Sequence, residues 1–282
     1  MAAIADLSDL VNRLTGGNSG TPEHIFFTKD ARVAGAVAAA AIVGRWISLW
    51  EYEGSPSHGA VPTTGAIPVN TTAGGLQQTD PGGGRQKWCT GMVVAPSQPG
   101  TLTMLDRLFH IGSLSGTTLT AQTVQGDPAS PALTRYTDGV GVKAYVEIYT
   151  QIGATPTTLT MAYYNQAGAS KTSPAVAIGA TGLREANRII PIPLAAGDTG
   201  IQSVTSVTLA GSTGTAGNFG VVIARPLVTV CCLGNQAGVR DLIAGLPSIV
   251  EIKTDACLWM MWVSTIVAAP QNFVGSVHFV EK

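Results

Sequence analysis

The chain has 282 residues, enough to bury a sizeable core as one large all-β domain or two smaller ones. Charged residues are 12% of it, about half of the roughly 25% of an average soluble domain, while hydrophobic residues stand at an ordinary 45%. The formal net charge of -1, from 16 scattered basic and 17 acidic residues, excludes the concentrated cationic footprint of a nucleic-acid binder and leaves little repulsion to hold copies apart.

In chain order, Ile4, Leu7, Leu10, Val11 and Leu14 fall at three- and four-residue spacings, which predicts an amphipathic helix ended by Gly16 and Gly17. The opening residues lack the basic and long apolar segments of a signal peptide, so synthesis in the cytoplasm is expected. The alanine-rich run from Ala31 predicts a helix to about Val43, weakened by Gly35 and Gly44, and then a strand at Trp46–Trp50. Residues 51–103 are dense in Gly, Pro, Ser and Thr and predict an extended arm or loops against a scaffold. Regular alternation follows: Val140, Val142, Ala144, Val146 and Ile148 on one face, then Leu159, Met161 and Tyr163, with turns at Asp138-Gly139 and Ala167-Gly168.

Further strands are predicted at Arg188–Pro193, Gln202–Leu209, Phe219–Ile223 closed by Pro226, Leu227–Leu233, Ser248–Lys253, Cys257–Ile266 and Val274–Val280, with a short helix over Leu183–Arg188. Strands broken by turns rather than long helices predict a mainly β fold: an antiparallel β-sandwich or jelly-roll-like domain. The expected organisation is an N-terminal helical segment over 1–50, the Gly/Pro-rich arm over 51–103 and the sandwich over 104–282. No fixed-period repeat emerges, and the longest uncharged apolar runs, Val33–Gly44 and Cys257–Pro270, fall short of the roughly 18 residues of a membrane span.

The search for chemistry yields no catalytic, cofactor-binding or metal-ligating residue to assign. His24, His58, His110 and His278 are far apart in sequence, and neither GxSxG nor HExxH occurs. Asp106, Arg107 and His110 in TMLDRLFH would bring Asp106 and His110 together were the segment helical, giving a local polar contact rather than an acid/base pair. The run Asp80–Arg85 lacks the GK[ST] of a phosphate loop and is a hairpin or arm. Gly139-Val140-Gly141 and Gly197–Gly200 are turns without a dinucleotide fingerprint. Cys89, Cys231, Cys232 and Cys257 have no zinc spacing and read as small buried thiols, with Cys231 and Cys232 pointing to opposite faces of a strand. Trp46, Trp50, Trp88, Trp259 and Trp262 fit core packing better than a carbohydrate platform.

Three stretches carry a resemblance: LDRLFHIGSLSGTTLTAQTV at 105–124, LTRYTDGVGVKAYVEIYTQIGATPTTLTMAYYNQAG at 133–168, and GDTGIQSVTSVTLAGSTGTAGNFGVVIARPL at 197–227. Together they resemble structural proteins of tailed-bacteriophage virions, in particular β-sandwich proteins that decorate or cement the capsid. That resemblance implies a non-enzymatic virion component, a jelly-roll-like module, often a homotrimer, that binds major capsid protein and strengthens the head, with the helix and the glycine-rich arm reaching neighbours. The alternatives are a tail or baseplate protein, a major capsid protein, for which a longer helical element and more charge are expected, and a carbohydrate-binding sandwich.

Overall fold

A computed structural model describes residues 6–15, 22–33, 36–37, 40–243, 249–267 and 271–281. One helix, α1 (Leu7–Leu14), precedes the strands β1 (Glu23–Val33), β2 (Ala36–Val37), β3 (Trp46–Ser48), β4 (Tyr52–Ser55), β5 (Lys87–Pro96) and β6 (Gly100–Leu114). Then come β7 (Gln122–Thr123), β8 (Lys143–Thr150), β9 (Thr157–Asn165), β10 (Ser170–Thr172), β11 (Val176–Ile178) and β12 (Arg188–Ile192). The last are β13 (Ile201–Leu209), β14 (Asn218–Cys232), β15 (Gly238–Asp241), β16 (Val250–Ile252), β17 (Leu258–Ser264) and β18 (Phe273–Glu281).

The mainly β, antiparallel architecture expected from the turn-dense sequence is what the chain adopts, with one short N-terminal helix. A seven-stranded sheet has the order β15-β5-β18-β1-β2, with β16 also on β5 and β4 also on β1. A smaller sheet has the order β10-β9-β13-β7, with β11 on β9. Between them lies a closed barrel, β12-β3-β17-β6-β14-β8.

The barrel is shared by two cores, because β6 and β14 are 15 residues each and run through both. Leu102 and Met104 of β6 and Val228 and Val230 of β14 pack with Phe27, Met92 and Phe279 of the seven-stranded sheet. Farther along, Phe109 of β6 and Phe219 and Ile223 of β14 pack with Leu159, Met161 and Val207 of the smaller sheet. The predicted face of β8 is buried from Val142 to Ile148, whereas Val140 is exposed in the preceding turn. Tyr145, Glu147 and Tyr149 on the opposite face are buried as well, since that face points into the barrel.

Four expectations are corrected. Residues 31–33 and 36–37 are strand, not helix, because β1 pairs along β18 from Glu23 to Lys29 and turns back on β2 at Arg32 and Val33; tertiary pairing overrides alanine's helix propensity. Residues 34–35 and 38–39, like Gly16 and Gly17, lie outside the described residues. Pro226 does not end a strand: β14 continues through it, with a register shift against β6 between Pro226 and Val228 that accommodates a residue lacking an N–H. The predicted helix over Leu183–Arg188 is absent: residues 183–187 form bends and turns, with Asn187 at a φ of 63°, and Arg188 begins β12. The segment Asp106–His110 is strand within β6, so Asp106 and His110 do not meet as helical neighbours.

Residues 51–103 contain more strand than their composition suggests, namely β4, β5 and the start of β6. The loops between are fastened to the barrel. Trp50 Nε1 donates to the Ala60 carbonyl at 2.9 Å, Leu76 is fully buried, and a Cβ at Gly59 would stand 2.2 Å from the Trp50 ring.

Candidate functional site

The densest assembly of polar chemistry lies inside the barrel. Arg107 of β6 and Glu147 and Tyr149 of β8 point inward among Leu105, Tyr145, Val222 and Trp259. Arg107 Nη2 stands 2.7 Å from Glu147 Oε2 and donates to the Tyr149 hydroxyl at 2.9 Å, and that hydroxyl donates onward to Glu147 Oε2 at 2.9 Å. Arg107 Nε donates to His110 Nδ1 at 3.1 Å, and the guanidinium carbon sits 4.1 Å from the Trp50 ring centre and 5.0 Å from that of Trp259. One cation is thus held by a carboxylate, a phenol, an imidazole and two indole faces.

A second ion pair abuts the first. Arg135 grips Asp106 with Nε and Nη2, each at 2.9 Å, while Nη2 also donates to the carbonyls of Pro68 and Arg107. The Cys257 N–H donates to Asp106 Oδ1 at 3.1 Å. This knot ties the loop before β8, the loop before β5 and the residue leading into β17 to β6.

The cluster holds charge rather than exchanging it. Burial, reinforced by the Arg107 charge, drives the His110 pKa down to about 2, so its imidazole stays neutral and serves as an acceptor. Burial pushes the Cys257 thiol up to about 12, which removes it as a thiolate nucleophile. Glu51, beside this cluster, has its carboxyl pushed up to about 8, first by burial and then by the charge of Glu147, against the pull of Arg107. Its Oε2 is buried without a hydrogen-bond partner.

The other sequence candidates are dispersed. Asp80–Arg85 ends in a turn closed by Arg85 N–H to the Gly82 carbonyl at 3.2 Å, with open space around Gly82, Gly83 and Gly84. Trp50, Trp259 and Trp262 are core residues, and Trp46 and Trp88 are half-buried. Cys231 is exposed and Cys232 buried, the alternation expected of a strand, and all four thiols are free. His24 and His278, unrelated in sequence, stack at 4.5 Å on the seven-stranded sheet. Among the described residues no three His, Cys, Asp or Glu side chains converge as a metal site.

A cleft of about 640 Å³ lies where the loop before β8 faces the β14 bulge and β16. Its charges answer one another: Arg225 covers the Tyr136 ring at 5.1 Å and donates to the Val140 carbonyl, and Lys253 pairs with Glu251 at 2.6 Å. Glu51, Arg135 and Glu147 escaped sequence reasoning. The one available signal was the alternation Tyr145-x-Glu147-x-Tyr149, which sets a charge on a face otherwise aromatic.

No protein-family model matches the sequence, and no curated protein matches it significantly. Among solved structures, the chain is similar to one of the infectious bursal disease virus Gx strain, at 8% identity and a TM-score of 0.20, covering 93% of this chain and 81% of that one. It is also similar to the crystal structure of an infectious bursal disease virus VP2 subviral particle, at 10% identity and a TM-score of 0.17, covering 92% and 80%. These scores are too low to assign a shared fold.

Proposed function

We propose that the chain is a non-catalytic structural component of a virus particle, which binds assembled major capsid protein and stabilises the head as a decoration or cement protein. The observation that carries this reading is where the charge lies. In a chain only 12% charged, nine of the described Lys, Arg, Asp and Glu residues, among them Lys29, Lys87, Asp106, Arg107, Glu147 and Arg188, are buried. The outer surface is therefore poorer in charge than the composition already indicates, which suits a subunit surrounded by neighbours better than a free monomer.

The phage-like stretches between 105 and 227 support the virion assignment and favour a homo-oligomer, with a trimer as the form that the resemblance implies. The part that reaches the shell in this reading is the open turn at Gly82–Gly84. A protein that binds only the assembled shell stabilises it by mass action. Shells reconstituted with and without the chain test this directly: raised resistance to heat and osmotic shock is expected, and equal resistance refutes it. Imaging a virion labelled on this chain separates head from tail.

A further inference from the structure

The outer face of the seven-stranded sheet is not built like a solvent face. Cross-strand register sets Phe26 of β1 opposite Ser276 of β18, Ser276 opposite Val93 of β5, and Val93 opposite Val239 of β15. The next row holds Thr28, Val274 and Ala95. Phe26 is 77% exposed, Val239 65% and Val274 57%, although the opposite side of the same strands is packed into the core. An antiparallel sheet with one face in the core ordinarily presents polar residues on the other. Here the row across four strands carries no charge.

Helix α1 continues the surface. Leu7, Val11 and Leu14 lie along one stripe, and Leu14 joins Val93, Val239 and Ile243 around a depression of about 320 Å³ whose β15 side also carries Arg240 and Asp241, a pair of opposite charges. Six of the twelve exposed large hydrophobic residues described belong to this region: Leu7, Val11, Phe26, Val239, Ile243 and Val274.

We infer that this face is a self-association surface on which a second copy of the chain packs face to face, a two-fold pair in place of the trimer that the resemblance implies. The area decides the occupant. At roughly 150–200 Å² for a fully exposed large apolar side chain, the six residues offer about 600 Å². A stable protein interface buries about 800 Å² per partner, of which the apolar part in homodimers is about 65%. The patch is thus the size of one complete homodimer core, and stands at the top of the range of about 300–600 Å² for the largest apolar patch on a monomer. The outward groups of the central strands at this level are uncharged, and Asp241 stands at the β15 edge, so a copy meets no like-charge repulsion at the centre. A two-fold axis parallel to the strands sets Phe26 of each copy against Val239 of the other, and each residue then acts twice.

The inference rests on geometry alone, so it stands or falls separately from the particle experiment. Sedimentation velocity of the full chain from about 1 to 50 µM, a range chosen to bracket ordinary homodimer affinities, tests it. The expected result is a species of twice 28.9 kDa. Phe26→Asp and, on a different strand, Val239→Asp each weaken association at least tenfold, with melting temperature retained because both side chains are exposed. Leu119→Asp, exposed on a loop outside the face, leaves association unchanged. A monomer throughout, a three-copy mass, or association indifferent to both face variants overturns the inference. So does a wild-type monomer that instead binds neutral phosphatidylcholine vesicles.

Discussion

Replacing Glu51 by Gln tests the electrostatics of the barrel most directly. The Glu51 carboxyl is pushed from the usual 4.5 up to about 8 by burial and the nearby Glu147 charge, so the folded chain holds this proton more tightly than the unfolded chain. Its proton therefore favours folding in full below about pH 4.5, and that contribution is lost as pH rises to about 8. At about 1.4 kcal/mol per pH unit the window sets an upper bound of about 5 kcal/mol, and Glu51's remaining solvent contact reduces this to an expected 2–3 kcal/mol or so. Glutamine keeps the shape of the protonated acid and cannot ionise. In urea titrations the variant and the wild type should agree within about 0.5 kcal/mol at pH 4, whereas at pH 8.5 the variant should be more stable by about 2–3 kcal/mol, or about 4 °C in Tm. Lys29, whose pKa burial lowers to about 8, titrates in both proteins and cancels in the difference. A wild-type-to-variant gap that does not change with pH refutes the reasoning.

Arg107→Met strands the Glu147 carboxylate inside the barrel and should cost about 3–5 kcal/mol in urea unfolding, with Glu147→Gln added to it recovering part of the loss. Lys87→Met leaves Glu23 and Gln78 without the ammonium that they hold at 2.6 and 2.9 Å, and should lower stability by about 3 kcal/mol. Gly220→Ala would set a Cβ 1.8 Å from the Ile111 carbonyl oxygen and 2.8 Å from the Tyr149 ring, so a loss of more than about 3 kcal/mol is expected from its thermal melt. Unchanged melting of that variant would mean that β14 and β6 are less closely paired than described.

How much was legible follows from how local each signal is. The alternation in Leu159–Tyr163 and the turns at Asp138-Gly139 and Ala167-Gly168 could be read because one face of β9 is polar and the glycines at 139 and 168 adopt positive φ. β6 could not be read as one strand, since both of its faces are buried and LDRLFH has no period of two. β14 was divided at Pro226 because the bulge that tolerates the proline is set by its partner strand. The ion pairs were invisible for a related reason: Asp106 and Arg135 are 29 residues apart, Arg107 and Glu147 are 40 apart, and no local spacing links them.

Those same pairs explain how a chain so poor in charge keeps its scaffold in one arrangement. Apolar contacts alone do not fix the register of a strand buried on both faces, because a shifted strand still buries apolar residues. Hydrogen-bonded ion pairs do, since a shift of one residue at β6 would exchange Asp106 and Arg107 between the barrel interior and its outside and leave four buried charges without partners. Such pairs add little net stability compared with apolar replacements, and their effect here is to select one packing. Charge placed inside for that purpose is charge withheld from the surface. A rigid scaffold then presents apolar faces whose ordering has already been accomplished by folding, which lowers the entropy that association must overcome.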